Sequence, residues 1–152
     1  MTTNLFRSRL AALPAFAFAA ALSSCAQADG ISKSGETFDA IAPTANVRLV
    51  GTEPFWSLEI EALPDKGFMA KYADPESVSG THFAVQRFAG NNGLGFSGDI
   101  EGKPVQATIT PGECNDGMSD RLYPYTATVA MGETILFGCA YTSDEPVAGG
   151  VG

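Results

Sequence analysis

The feature that most constrains the fold is the stretch 111–140, which holds Cys114 and Cys139, two of the chain's three cysteines. Cys114 begins a dense group of turn-forming and charged residues, and Cys139 ends a strongly strand-like run. Gly, Asn, Asp and Ser favour tight turns, and β-branched and aromatic residues favour strands. We therefore predict a disulfide-closed β-hairpin around which a small all-β domain is built.

The N-terminal residues have the pattern of an export signal. Arg7 and Arg9 precede the apolar run 10–22. That run is too short to span a bilayer as a helix and has the length of the hydrophobic region of a signal peptide. We predict that residues 1–24 are a lipoprotein signal peptide and that the mature chain is exported.

The end of this signal predicts how the mature chain is anchored. Leu-Ser-Ser-Cys at 22–25 resembles the bacterial lipobox, whose cysteine is lipidated and becomes the mature N-terminus. Acyl chains such as palmitate at Cys25 would hold the protein on a membrane facing the periplasm, and Ala26 resembles the pattern that directs lipoproteins to the outer membrane. The alternative is cleavage after Ala28 by ordinary signal peptidase, which would remove Cys25.

The cysteine count then predicts one disulfide. With Cys25 lipidated or removed, Cys114 and Cys139 are the two that remain. An even number of cysteines in an exported protein is typical of disulfide bonding, because that compartment is oxidising. The alternative, two buried free thiols, remains open.

Net charge excludes some partner classes. Removing residues 1–24 takes Arg7 and Arg9 and no acidic residue, so 9 basic against 17 acidic side chains become 7 against 17. No basic surface is left to bind nucleic acid or anionic lipid. A cationic protein partner is favoured electrostatically, although an acidic surface also simply keeps a protein soluble.

Alternation of apolar and polar residues predicts strands through the middle of the chain. Trp56, Leu58, Ile60 and Ala62 alternate with polar residues, the period of a half-buried strand. Similar patterns continue to residue 141, separated by turn signals such as Asn-Asn-Gly at 91–93. We predict about eight short strands in a small antiparallel β-sandwich or closed β-barrel stapled by one disulfide.

Domain limits and strand faces follow from the same patterns. Polar residues without a period predict a flexible tether at 25–45 and a disordered tail at 142–152, which flank a β-domain at 46–141. Pro111-Gly112 predicts a type II turn. Ile135, Phe137 and Cys139 fall on one face of the last strand, which we predict to face the core.

Two segments supply candidate binding residues. The first carries Glu53, Phe55 and Trp56, the only tryptophan. Phe55 and Trp56 are either core residues or the lining of a ligand groove with Glu53 at its rim. The second segment, 115–121, carries Asp116, Asp120 and Arg121.

The second segment is better explained by turn structure than by a cation site. It lacks the alternating oxygen ligands and the distal Glu of a helical calcium loop, so we predict no metal and no cofactor. Asp116 and Ser119 are expected to bond local backbone amides, and Arg121 to pair with Asp120, Asp116 or Glu53.

Catalytic residues are scarce, and we predict that the protein is not an enzyme. His82 is the only histidine, and nothing near it resembles a nucleophile elbow. A disulfide-bonded Cys114 would offer no thiolate. A hydrolase that uses His82, or the acid pair Asp116 and Asp120, is the remaining enzymatic alternative.

Three motifs together resemble the signature of a family of small, uncharacterised bacterial envelope lipoproteins. They are Gly-Thr-Glu-Pro-Phe-Trp at 51–56, Cys-Asn-Asp-Gly-Met-Ser-Asp-Arg-Leu-Tyr-Pro at 114–124 and Gly-Cys at 138–139. The resemblance covers about residues 47–141. It implies export and the pairing of Cys114 with Cys139, and it supplies no activity. The architecture also resembles that of small β-barrel domains in envelope-stress proteins and lysozyme inhibitors.

These observations lead to one main hypothesis and two alternatives. The main one is a lipid-anchored periplasmic domain that binds a small molecule or an envelope protein without catalysis. The first alternative is inhibition of a cationic envelope hydrolase such as lysozyme. The second is the hydrolase described above.

Overall fold

The computed structural model describes residues 37–149, which form a closed barrel of eight antiparallel strands. In chain order the strands are β1 Val47–Thr52, β2 Phe55–Ala62, β3 Phe68–Ala73, β4 Thr81–Ala89, β5 Leu94–Ile100, β6 Lys103–Asn115, β7 Leu122–Met131 and β8 Thr134–Thr142. Each strand pairs with the next, and β1 pairs with β8 to close the sheet. The all-β prediction is confirmed, and the barrel replaces the sandwich.

The barrel core follows from the alternation in the sequence. Side chains that face inward along one strand meet inward-facing partners on the next, as Leu49 opposite Leu58 shows. The buried apolar residues include Leu58 and Ile60 on β2, Leu94 and Phe96 on β5, Val105, Ala107 and Ile109 on β6, and Tyr125, Ala127 and Val129 on β7. The interior is therefore filled by side chains, as in other barrels of this strand number.

The folded part of the chain begins before the predicted boundary at residue 46. Ile41 and Ala45 are buried in the core, and Phe38 packs against it. The Phe38 amide donates to the Gly90 carbonyl at 2.7 Å, and Arg87 Nη2 donates to the Ile41 carbonyl at 2.8 Å. The tether prediction is therefore wrong for residues 38–45, because isolated apolar residues without a period can still cover one end of a barrel.

The predicted tail is also ordered at its start. Thr142 ends β8 and is buried, and the Leu122 and Ala148 amides and carbonyls exchange hydrogen bonds. The Tyr125 hydroxyl donates to the Glu145 carboxylate. Burial first, and then this carboxylate, raise the pKa of Tyr125 to about 12. The disorder prediction is therefore wrong for residues 142–149.

Other predictions for the chain ends lie outside the described residues. These are the signal peptide at 1–24, Cys25, the part of the tether up to residue 36 and the tail from 150 to 152. Within residues 37–149, no helix has the length and apolar content needed to cross a membrane.

The ends of β6 and β7 form a hairpin tip, residues 111–125, that folds over the barrel. The β6–β7 register shifts between Pro111 and Cys114, so a β-bulge stands where the sequence predicts a type II turn. A bulge bends its strand, and the tip reaches the outer face of β8. There Cys114 and Cys139 form the predicted disulfide, with a Cα–Cα distance of 5.5 Å.

The prediction for the faces of β8 is wrong. Leu136 and Ala140 enter the barrel core, whereas Ile135 and Phe137 lie exposed on the outer face. Cys139 shares that outer face and is nevertheless buried, because the hairpin tip covers it. Apolar residues occupy both faces of this strand, so alternation alone could not identify the core face.

Candidate functional site

A groove of about 490 Å³ opens on the outside of the barrel, between the β1–β2 hairpin and the hairpin tip. Its floor is a row of small side chains in register across three strands, Val50 opposite Ser57 and Ser57 opposite Ala73. The same row continues to Cys139 on β8. The disulfide therefore fixes the hairpin tip directly beside the floor of this groove.

The two walls of the groove differ in chemistry. The first is formed by Phe55 and by the β3–β4 connection with Asp74, Pro75 and Val78. The second is formed by the hairpin tip, which contributes Asp116, Arg121 and Tyr123. Apolar surface with a few charged groups at its edges is typical of binding sites.

Trp56 lies opposite Gly51 in the β1–β2 pair. Its side chain is buried and belongs to the core, and it also lines the groove. The indole lies against Gly51, where an added Cβ would meet Nε1 at 2.0 Å. A Cβ on Gly138 would meet Trp56 Cζ2 at 3.0 Å and the Val50 carbonyl oxygen at 2.1 Å. The two glycines therefore leave the space in which the indole lies.

The 115–121 loop is held by its own side chains. Asn115 Nδ2 donates to the Ser119 and Arg121 carbonyls, each at 3.0 Å. Asp116 Oδ1 accepts from the Met118 and Ser119 amides at 3.0 and 2.9 Å. Ser119 Oγ accepts from the Arg121 amide at 3.3 Å, so Asp116 and Ser119 bond local backbone amides as the turn-based interpretation predicts.

The second carboxylate oxygen of Asp116 ties the loop to β7. Oδ2 accepts from the Tyr123 hydroxyl at 3.1 Å and from Ser119 Oγ at 2.9 Å. Hydrogen bonds from the Met118 amide, from Ser119 and from Tyr123 hold the pKa of Asp116 below its usual value. Its backbone carbonyl also accepts from Thr52 Oγ1 at 3.0 Å, which joins the loop to β1.

The ion pair predicted for Arg121 is wrong. Among residues 37–149 the ion pair found is Arg48 with Glu59, at 3.0 Å. The Arg121 guanidinium instead lines the groove beside Tyr123, where it acts to lower the pKa of the phenol against the stronger raising effects of burial and Asp116. Of the three predicted partners, the carboxylate of Asp116 is already occupied by hydrogen bonds from its loop and from Tyr123.

The groove brings together four of the six predicted binding residues, Phe55, Trp56, Asp116 and Arg121. Glu53 and Asp120 do not line it. Phe55 is exposed, so the core interpretation holds for Trp56 and fails for Phe55. The sequence reasoning missed Val50, Asp74, Val78 and Tyr123, because register and loop packing place them there and no motif marks them.

His82 lies away from the groove. It is exposed on the outer face of β4, opposite Lys71, which in turn lies opposite Glu59. The row continues to Arg48, so charges alternate along this outer face. Such cross-strand pairs of opposite charge stabilise a sheet. Within the described part of the chain, no three His, Cys, Asp or Glu side chains cluster as candidate metal ligands.

Gly51→Ala is expected to displace the indole of Trp56. The new methyl group would overlap Nε1, so the free energy of unfolding should fall by about 1–3 kcal/mol and the emission of the single tryptophan should change. Gly112→Ala is the matched control, because its Cβ would meet Thr126 Cγ2 at an ordinary 3.6 Å. Urea unfolding and fluorescence test both variants. Equal stability of the two proteins would show that the indole is not held against Gly51.

Comparison with family models, with curated proteins and with solved structures finds no match for this chain.

Proposed function

We propose that this protein is a lipid-anchored binding domain of the bacterial cell envelope that performs no catalysis. In this proposal Cys25 carries the lipid and residues 26–37 tether the barrel to the membrane, with the barrel facing the periplasm, at the outer membrane. The charged, apolar and lipobox patterns of residues 7–26 support export. The Cys114–Cys139 disulfide supports an oxidising compartment.

The observation that carries the binding proposal is the groove itself. It combines a floor of small side chains and the apolar side chains Phe55 and Val78 with Arg121, Asp116 and Tyr123 on a hairpin tip fixed by hydrogen bonds and by the disulfide. A preorganised wall lowers the entropy cost of ligand binding. The ligand is a small molecule or a segment of an envelope protein.

Binding fits these residues better than hydrolysis does. Asp116, one member of the candidate acid pair, accepts bonds from two backbone amides and the Ser119 hydroxyl in its own loop and from the Tyr123 hydroxyl on β7. Its pKa is lowered, whereas a general acid near neutral pH needs a raised one. His82 lies on another part of the barrel surface, with Lys71 and Glu59 beside it.

Filling the groove tests the binding proposal. Ser57→Phe would place a large side chain on the groove floor, and Gln106→Phe would place the same side chain on the exposed face of β6. Both proteins are purified from the envelope in mild detergent and compared with wild type by native mass spectrometry. We expect a bound molecule on wild type and on Gln106→Phe, and its loss from Ser57→Phe. Retention by Ser57→Phe, or a wild-type protein without any bound molecule, would contradict the proposal.

The anchor is tested separately with Cys25→Ser. The proposal expects wild type to incorporate labelled palmitate and to sediment with membranes, and the variant to do neither. A variant that still sediments with membranes and incorporates label would rule out lipidation at Cys25.

Inhibition of a cationic envelope hydrolase is a second candidate, favoured by the excess of 17 acidic over 9 basic side chains. Opposite net charges accelerate association of two proteins. A lysozyme assay with the soluble domain in molar excess tests it. Unchanged lysozyme activity would remove lysozyme as the target.

A further inference from the structure

We infer that the groove docks a basic polypeptide segment, with apolar side chains in the groove and lysine or arginine side chains against the acidic connections beside it. This inference rests on the proposed binding function and names the class of partner. It follows from the exposed apolar residues, from the shape of the groove and from the distribution of charge.

Exposed apolar side chains concentrate around the groove. The described residues include seven large apolar side chains that are exposed. Phe55 and Val78 line the groove, and Met118 lies in the loop that forms its wall. Phe137 lines a second hollow next to the groove. Each of these four is more than half exposed. Aromatic side chains, methionine and arginine are the residues enriched in protein–protein interfaces.

The groove continues into a second hollow. A second hollow of about 280 Å³ lies between the hairpin tip and β8. It shares Val50, Gly51, Thr52 and Asp116 with the groove. The two hollows therefore continue past the hydrogen bond from Thr52 to Asp116, toward Phe137. Such a path fits several residues of an extended chain better than one compact molecule.

The end of the barrel that carries the β1–β2 and β3–β4 connections is negatively charged. In a barrel whose strands follow one another in order, the β1–β2, β3–β4, β5–β6 and β7–β8 connections lie at one end. All four carry acidic residues and none carries lysine or arginine; the acids are Glu53, Asp74, Glu76, Glu101 and Glu133. Within the groove, Asp74 and Asp116 outnumber Arg121.

This charge distribution decides between occupants. A second copy of the chain would bring a second acidic surface to the same place, and nucleic acid or an anionic amphiphile would bring more negative charge. A basic segment gains attraction from the connections and buries its apolar side chains against Phe55 and Val78. Opposite Arg121, such a segment would carry a neutral or acidic residue.

The fluorescence of Trp56 gives a direct readout, because it is the only tryptophan and it lines the groove. The probe is a short blocked peptide in which lysine alternates with leucine. One control peptide replaces each lysine with glutamate, and the other replaces each leucine with serine. We expect the lysine–leucine peptide to change Trp56 emission with saturation, and both control peptides to bind at least tenfold more weakly. Added salt should weaken binding, because the charges are exposed.

Charge variants locate the contact. Glu53→Gln combined with Glu76→Gln removes two exposed acids next to the groove and should weaken binding of the lysine–leucine peptide roughly three- to tenfold. Glu61→Gln combined with Asp39→Asn removes the same charge from exposed positions at the opposite end of the barrel, near the β2–β3 and β4–β5 connections, and should weaken peptide binding less than twofold. Equal effects of the two double variants would overturn the inference.

The peptide results also separate this inference from the proposed function. Saturable binding of the glutamate peptide, equal to or stronger than that of the lysine peptide, would overturn the basic partner and leave the groove as a binding site. No change in Trp56 emission with any peptide would overturn the polypeptide partner, whereas a molecule lost on Ser57→Phe would still support groove binding.

Discussion

Serine in place of both Cys114 and Cys139 should lower the free energy of unfolding by about 3.5 kcal/mol in the chain-entropy model. The disulfide closes a loop with a sequence separation of 25, and its loss frees the unfolded chain. The folded protein should also lose the fixed position of the hairpin tip, because Cys139 holds it to β8. Urea unfolding of wild type and the double variant measures the difference.

Reduction of the wild-type protein is the matched control for this prediction. Wild type in a strong reductant should unfold at the same urea concentration as the double variant, and the double variant should not respond to the reductant. A double variant as stable as oxidised wild type would show that the bond does not stabilise the barrel. Free thiols in the purified protein that alkylate without reduction would contradict the bond itself.

Ile41→Ala should lower the free energy of unfolding by about 2–5 kcal/mol, the usual cost of emptying a core position. Ile41 is 2% exposed and packs in the barrel core although it lies upstream of every strand. Ile135→Ala is the matched control, because that side chain is 59% exposed on β8. Its effect should stay within about 0.5 kcal/mol.

The comparison of the two isoleucine variants is made by thermal and urea unfolding. An Ile41→Ala protein with the stability of Ile135→Ala would show that the segment before β1 is not part of the core. The predicted tether from residue 25 to 45 would then be correct over its whole length.

Alternation predicted most of the barrel because most strands have one buried and one wet face. On β2, Trp56, Leu58 and Ile60 face the core as the period of two requires. The prediction failed on β8, where Phe137 on the outer face is as apolar as Leu136 on the inner one. Which face is buried there is decided by pairing with β7 and β1, and this information is not local in the sequence.

The two segments that form the site could be predicted from the sequence, but their proximity in the fold could not. Trp56 stands out as the only tryptophan, and Asn115 to Arg121 as a dense turn, so both segments were candidates. Their proximity depends on the bulge between Pro111 and Cys114, which bends the hairpin tip over β8. The Pro-Gly pair at this bulge is also a strong turn signal. The local sequence therefore did not distinguish a type II turn from a β-bulge.

Residues outside any pattern caused the remaining errors. Ile41 and Glu145 lie in segments rich in polar and turn-forming residues, and each is fixed by a contact with a distant strand. Arg87 bonds the Ile41 carbonyl, and Tyr125 bonds the Glu145 carboxylate. Single long-range contacts of this kind leave no period in the sequence.

Photo-crosslinking in living cells tests most directly whether the groove is the binding site. A photoreactive phenylalanine analogue is placed at Phe55, which lines the groove, or at Phe88, which is similarly exposed on β4 and does not line it. If the groove is the binding site, position 55 should give an adduct of defined mass, and Ser57→Phe should abolish that adduct. Position 88 should give no adduct. Adducts from both positions that persist in the Ser57→Phe background would contradict it.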